Sequence, residues 1–210
     1  MTIVEILVKI IHLSELITFI VAVVYWSRYR ETKQWVFLPF MVMTLMSEIV
    51  SYILKFVYNV PSSATSNTLI LCSSLLLFYW FYTLLRVKWL FVSTSILVII
   101  AYGINAFYQP YHDNLYEYPN FLIGIFMLVY IFTYMRQLLN SNEVVYFKKI
   151  PALWICSGLI VYQLILVLLF MMILRLTAID YNAFMTILTI INVIFYGSIS
   201  YGLILSKKHE

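Results

Sequence analysis

The chain has 210 residues, of which 64% are hydrophobic, 18% aromatic and only 10% charged. Soluble domains carry about 25% charged residues, so this composition indicates an integral membrane protein. The formal net charge of +4 comes from basic residues in short loops. We therefore interpret that charge as a signal of membrane topology, and we expect no binding to nucleic acid.

Seven apolar segments are each long enough to cross a bilayer, because about 20 residues of α-helix cover the hydrocarbon core. In chain order they are about 3–26, 36–59, 67–86, 89–108, 119–139, 151–174 and 182–205. The first segment has neither a basic leader nor a small-residue cleavage site, so we expect it to remain as a helix. The connections leave no room for a soluble domain. The sequence thus predicts a single all-α domain over 1–210, an integral membrane bundle of seven transmembrane helices.

The basic residues indicate the orientation of this bundle. They lie in the first loop (Arg28, Arg30, Lys33), the third loop (Arg86, Lys88), around the fifth loop (Arg136, Lys148, Lys149) and in the tail (Lys207, Lys208). The second loop is uncharged, and the fourth carries His112, Asp113 and Glu117 without lysine or arginine. Basic loops stay in the cytoplasm. We therefore predict an outside N-terminus, a cytoplasmic C-terminus and a multi-pass protein of a bacterial inner membrane, with Lys9, Lys55 and Arg175 as exceptions.

The second segment is unusual because it carries charged residues inside an apolar stretch. Glu48, Ser51, Tyr52 and Lys55 are spaced to lie on one face of a helix. A carboxylate at the bilayer centre costs about 2.5–3.5 kcal/mol, so this face should point into the protein or a wet cavity. We expect Glu48 to lie in the interior of the bundle.

Four segments place an acid or an amide near their midpoints, which predicts a shared polar cluster at the bundle centre. The candidate residues of this polar core or ligand site are His12, Glu15, Glu48, Lys55, Tyr162, Gln163, Asn192 and Tyr196. The amides and tyrosines have a structural alternative, because such groups also join helices by hydrogen bonds. Intramembrane acids are costly and are usually tied to function. We expect the carboxyl groups of Glu15 and Glu48 to approach each other and share a proton, with His12 or Lys55 as the nearest cation.

Several chemistries lack their sequence signatures. The chain contains no HExxH, zinc-type Cys/His spacing, P-loop or G-x-S-x-G motif. Only one histidine lies within an apolar segment, which disfavours a His-rich hydrolase of the ceramidase kind. The seventh segment contains no lysine, which excludes a retinal Schiff base. His12, Glu15 and Glu48 are residue types that hold metals or act as acid–base pairs, but their spacing is nonspecific. We assign no catalytic residue, metal ligand or cofactor, and we expect Cys72 and Cys156 to be buried and too far apart for a disulfide.

Two motifs in the last two segments resemble a known group of proteins. The runs IPALWICSGLIVY at 150–162 and INVIFY at 191–196 are similar to Pro-Phe-Trp-Ile-x-x-Gly-x-x-x-Tyr and Asn-x-x-x-Tyr patterns of small seven-helix membrane proteins common in Bacteroidetes. Here Ala-Leu replaces the phenylalanine, which lengthens the gap between Pro151 and Trp154. An acid in the second segment, Glu48, also fits. These proteins are similar in layout to the membrane sensor regions of histidine kinases, so the resemblance implies a sensory role.

Three functions remain as hypotheses. The first is a non-catalytic sensory or regulatory inner-membrane protein, which signals through a cytoplasmic or membrane protein partner and binds a small-molecule or lipid ligand. The second is a small-solute or proton-coupled transporter in which Glu15 and Glu48 relay protons. The third is a membrane-embedded enzyme that acts on lipid and uses the same acids as acid–base groups.

Overall fold

The computed structural model of the chain describes residues 3–112, 114–141, 148–175 and 181–206. The structure is all-helical, with 88% of residues in helices. Seven helices are long and apolar enough to span a membrane. They are α1 (Ile3–Val24), α2 (Phe37–Val57), α3 (Ser63–Leu85), α4 (Lys88–Tyr108), α5 (Glu117–Leu139), α6 (Pro151–Arg175) and α7 (Tyr181–Leu205). Each helix lies within four residues of a predicted segment, so the seven-helix prediction is confirmed.

The connection between α1 and α2 is itself folded. A short helix, Trp26–Tyr29, is followed by a 3-10 helix, Lys33–Val36, whose first turn is capped by the Thr32 hydroxyl accepting from the Gln34 N–H. The Tyr29 hydroxyl is buried and donates to the Ala22 carbonyl at 2.7 Å. Burial raises the pKa of the Tyr29 hydroxyl, so it remains a neutral donor. This bond holds the connection against the end of α1, which stops two residues before the predicted end.

Six of the seven helices form a ring. Around it, α1 packs on α2, α2 on α3, α3 on α5, α5 on α6, α6 on α7, and α7 on α1. The remaining helix, α4, lies outside the ring against α3 and α5. The two least buried helices are α1 and α4. The ring therefore surrounds a central space whose walls come from nonconsecutive parts of the chain.

Aromatic side chains pack the interior of one half of the ring, and a cleft of about 480 Å³ lined by Lys33, Gln34 and Lys149 lies at its end. We call the end of the bundle next to the α1–α2, α3–α4 and α5–α6 connections the closed half. The other end of the same helices is the open half. Phe81 is fully buried and stacks on Tyr130 with ring centroids 5.3 Å apart. Phe37 meets Trp80 edge-on at 5.0 Å, and both are fully buried. Dispersion contacts of this kind stabilise membrane bundles, because lipid tails remove most of the hydrophobic driving force between helices.

The close crossing of α6 and α7 depends on two glycines. A Cβ atom at Gly158 would lie 1.8 Å from the Ser198 hydroxyl oxygen. A Cβ atom at Gly202 would lie 2.5 Å from Cγ1 of Ile155. Small residues let membrane helices approach in this way, and the carbonyl and side-chain contacts that result replace hydrophobic association.

The two cysteines are separate. Both thiols are free, as predicted. Cys156 is buried in α6, but Cys72 in α3 is only half-buried, so the prediction that both are buried is wrong for Cys72. Cys72 lines a groove between α2 and α3, next to Tyr111 and His112 of the α4–α5 connection.

Candidate functional site

The open half contains a central cavity of about 400 Å³. Its walls come from α2, α3, α5, α6 and α7, and it extends from the middle of the bundle to Leu115 and Glu117, beside the α4–α5 connection. Most of the lining is apolar, including Phe40, Leu159 and Phe195. A concave apolar site of about 300–1,000 Å³ with few polar groups is the usual form of a small-molecule site. The cavity therefore matches the small end of that class.

The polar residues in the cavity wall lie at different depths along the bundle. They are Thr44, Ser73, Ser74, Glu117, Asn120, Tyr162, Gln163 and Tyr196. Asn120 is buried, and its Oδ1 accepts a hydrogen bond from the Tyr102 hydroxyl at 2.8 Å. Its Nδ2 is buried and has no hydrogen-bond partner among the described residues.

The entrance end of the cavity is organised by Asn67. This residue is fully buried in the first turns of α3. Its Nδ2 donates to the carbonyls of Tyr111 and Asn114 at 3.1 and 2.8 Å, and its Oδ1 accepts from the Tyr116 N–H at 3.0 Å. One side chain thus satisfies three backbone groups of the α4–α5 connection. The connection is held in place where Leu115 and Glu117 reach the cavity.

A second polar site lies between α1 and α2. His12 Nδ1 lies 3.5 Å from Glu15 Oε2 and 3.7 Å from Glu48 Oε2. One ligand-type atom from each of the three residues falls within 4.8 Å of the others. Glu15 is buried, whereas the His12 and Glu48 side chains are 47% and 42% exposed. We call these three residues the acid–histidine cluster. The expected approach of Glu15 and Glu48 is found, with His12 as the nearest cationic group.

Tyr196 connects the cluster to the cavity. Its hydroxyl donates to Glu15 Oε1 at 3.0 Å, and its side chain forms part of the cavity wall. The helix pair that carries this contact is fixed nearby, because the Thr18 hydroxyl lies 3.1 Å from the Tyr196 carbonyl and accepts from Ser200 at 2.9 Å. A change in the position of Tyr196 would therefore reach both sites.

The predicted polar face of the second segment is only partly correct. Glu48 lies at the edge of the ring rather than in its interior, and Ser51 bonds to Thr65 of α3 at 2.6 Å. Tyr52 is 63% exposed, and Lys55 is also exposed, with its ammonium 5.6 Å from the Phe56 ring centroid. The prediction that Lys55 belongs to the polar core is wrong. The end of α2 lies in the loosely packed half, and a lysine one turn from a helix end can extend towards water.

The single central cluster predicted from the sequence is divided in the structure. Gln163 lines the cavity, with Tyr162 beside it stacked on Phe195 at 4.8 Å. Asn192 is buried, but its Nδ2 donates to the Leu188 carbonyl of its own helix at 2.7 Å. Equal depth is consistent with the approach of Glu15 and Glu48, but it did not determine where each side chain points, because depth specifies height along a helix and says nothing about rotation around it.

Sequence reasoning missed the cavity residues at the start of α5. Glu117 was assigned to the fourth loop, and Asn120 was not considered as a site residue. Their spacing of three residues, on either side of Pro119, was the available signal, because it places them on one helix face. The roles of Asn67 and Thr18 were also missed, since both depend on contacts with distant parts of the chain. Asp113, Asn142, Lys207 and Lys208 lie outside the described residues, as does the side chain of Arg175.

Comparison with known proteins gives no match. No family model, curated protein or solved structure is significantly similar to this chain. The functional argument therefore depends on the geometry of the cavity and the cluster.

Proposed function

We propose that the protein is a non-catalytic membrane sensor that binds a small, mostly apolar ligand in the central cavity. The observation that supports this is a mostly apolar cavity of about 400 Å³ in the open half, which ends against buried aromatic side chains of the closed half. A solute that enters the cavity meets Phe40 and Leu77 at its inner end, and Phe40 packs on Phe37 of the closed half at 6.2 Å, so no continuous path follows. This arrangement favours binding and signalling over passage.

The proposed orientation places the cavity towards the outside of a bacterial inner membrane. The described connections of the closed half carry Arg28, Arg30, Lys33, Arg86, Lys88, Lys148 and Lys149. Basic loops are retained in the cytoplasm, so this half would face the cytoplasm and the N-terminus would lie outside. A cytoplasmic or membrane protein partner would then contact the basic connections and receive the signal.

The ligand proposal is tested with a variant that fills the cavity. Ser74 is buried in the cavity wall, so Ser74→Leu should occlude it. The matched control is Ser93→Leu on α4, outside the ring. Native mass spectrometry of purified protein should detect a bound small molecule in the wild type and in Ser93→Leu but not in Ser74→Leu. Equal occupancy in both variants, or an empty wild-type protein, would count against the proposal.

The orientation has its own test. In a variant lacking Cys72 and Cys156, His112→Cys in the α4–α5 connection should react with a membrane-impermeant maleimide in intact spheroplasts. Lys88→Cys, at the opposite end of α4, should react only after the membrane is permeabilised. The reverse pattern would overturn the orientation without affecting the ligand experiment.

A proton-coupled transporter is the second candidate. It is favoured by the hydrogen bond from Tyr196 in the cavity wall to Glu15 in the acid–histidine cluster. Such a contact could couple cavity occupancy to proton movement. In proteoliposomes, a transporter would acidify or alkalinise the lumen when the ligand gradient is imposed, whereas a sensor would leave the luminal pH unchanged.

A further inference from the structure

The acid–histidine cluster has the geometry of a metal site rather than of a simple ion pair. A single imidazole nitrogen, His12 Nδ1, faces carboxylate oxygens of Glu15 and Glu48 at 3.5 and 3.7 Å. Charge-assisted hydrogen bonds are shorter, at about 2.7–2.9 Å. One nitrogen carries at most one proton, so it cannot donate good hydrogen bonds to two carboxylates. Hydrogen bonding alone does not account for the arrangement.

Two of the three separations are close to what a tetrahedral cation requires. Nitrogen and oxygen ligands lie about 2.0–2.2 Å from Zn²⁺, and the tetrahedral angle then sets neighbouring ligand atoms about 3.3–3.6 Å apart. The observed 3.5 Å falls in that range, and 3.7 Å is slightly longer. The third pair of ligand atoms lies within 4.8 Å. Small rotations of the half-exposed His12 and Glu48 side chains would bring all three ligand atoms to tetrahedral separations.

The surroundings of Glu15 point the same way. Its Oε1 accepts a hydrogen bond from the Tyr196 hydroxyl at 3.0 Å, while its Oε2 is the oxygen that faces His12. A ligating carboxylate is commonly oriented by a hydrogen bond of this kind to its other oxygen. Charge balance also favours a cation. A neutral imidazole and two carboxylates carry a total charge of −2, which a divalent ion brings to zero at mid-depth in the bundle.

We propose that His12, Glu15 and Glu48 bind a first-row divalent metal ion, with Zn²⁺ the best match. The mixed nitrogen and oxygen donor set disfavours Mg²⁺ and Ca²⁺, which prefer oxygen ligands alone. Three protein ligands leave a fourth position for water or another small ligand on the exposed side of the cluster. The metal ion replaces the proton that Glu15 and Glu48 were predicted to share. This site is independent of the ligand proposed for the cavity.

The proposal is tested with full-length protein purified in detergent without a polyhistidine tag. Equilibrium dialysis against Zn²⁺, followed by elemental analysis, should give one ion per chain. Mg²⁺ should not compete. Zn²⁺ should also raise the melting temperature of the wild type, because an ion that binds only the folded state stabilises it.

The decisive variants are His12→Gln and Glu48→Gln, since both side chains are half-exposed and their loss should not prevent folding. Each should weaken Zn²⁺ binding by at least about tenfold and abolish the thermal shift; removing even an orienting partner costs about 10–100-fold. Tyr196→Phe should weaken binding by about tenfold or more for that reason. His112→Gln and Glu31→Gln are the matched controls, which remove exposed residues of the same types. Both controls should bind as the wild type does.

Two outcomes would overturn the site. The first is a folded wild-type protein that binds no Zn²⁺, which would leave the cluster as a histidine–acid ion pair. The second is stoichiometric binding that survives in His12→Gln and Glu48→Gln. The cavity-filling variant Ser74→Leu separates this proposal from the sensor function, since it should bind Zn²⁺ normally even if no cavity ligand is found.

Discussion

The closed and open halves of the ring are built from the same helices but packed differently. In the closed half, Phe37, Trp80 and Phe81 are fully buried and touch one another. In the open half, the same helices line a cavity of about 400 Å³, and the end of α2 is exposed. Close packing contributes stability, whereas a cavity forfeits contacts. The two ends also differ in the chemistry of their cavities: the open half has a mostly apolar one, whereas the cleft at the closed end is lined by polar and basic residues such as Lys33, Gln34 and Lys149.

The contrast also explains where the polar sites lie. Most buried polar groups are paired, because an unpaired buried polar group is costly; among the described residues, Trp80 Nε1 is an exception in the closed half. The half-exposed His12 and Glu48 side chains and the cavity residue Gln163 occupy places where packing is incomplete. These sites are therefore positions that the fold leaves open to ligands.

The largest expected effect is the loss of an aromatic ring from the closed half. Phe81→Ala should reduce the free energy of unfolding by about 3–5 kcal/mol, because the ring is fully buried between Trp80 and Tyr130. Phe184→Ala, at the cavity wall, should cost about 1 kcal/mol or less, because it enlarges an existing space. Unfolding in mixed micelles, followed by circular dichroism, measures both values. Equal losses would show that the two halves do not differ in this way.

A smaller effect is expected where α6 and α7 cross. Gly158→Ala should destabilise the protein by about 1–3 kcal/mol, because its Cβ would overlap Ser198. Adding Ser198→Gly should recover part of that loss. Gly197→Ala is the matched control: no atom lies within 4 Å of its Cβ position, so it should be neutral or stabilise by up to about 1 kcal/mol. The same unfolding assay applies, and a Gly158→Ala protein as stable as the wild type would contradict the close crossing.

Much of the fold could be predicted from the sequence, and less of the site. Segment length and hydropathy determine the seven helices, because a bilayer requires about 20 apolar residues per span. The i, i+3 spacing of His12 and Glu15 also placed them together correctly. Sequence could not show how each helix is rotated, or that α4 lies outside the ring. Those features depend on packing between helices distant in the chain, and the exposed position of Lys55 is one result.

The smallest expected effect concerns single hydroxyl bonds between helices in the two halves. Thr65 donates to the Ser62 carbonyl at 2.6 Å, so Ser51 must be the donor in its 2.6 Å contact with Thr65. By the same reasoning Tyr130 donates to Thr94, at 2.8 Å. Each variant, Ser51→Ala and Tyr130→Phe, removes one donor and leaves the acceptor hydroxyl still bonded to a carbonyl. Such bonds are worth about 0.6 kcal/mol on average and at most about 1.7 in membrane bundles. Tyr130→Phe should show the larger loss, because Ser51 lies in the open half, where a ligand, lipid headgroup or water can replace its bond. A double-mutant cycle for each pair measures the coupling, and a larger coupling for Ser51 and Thr65 would mean that the open half is held together as tightly as the closed one.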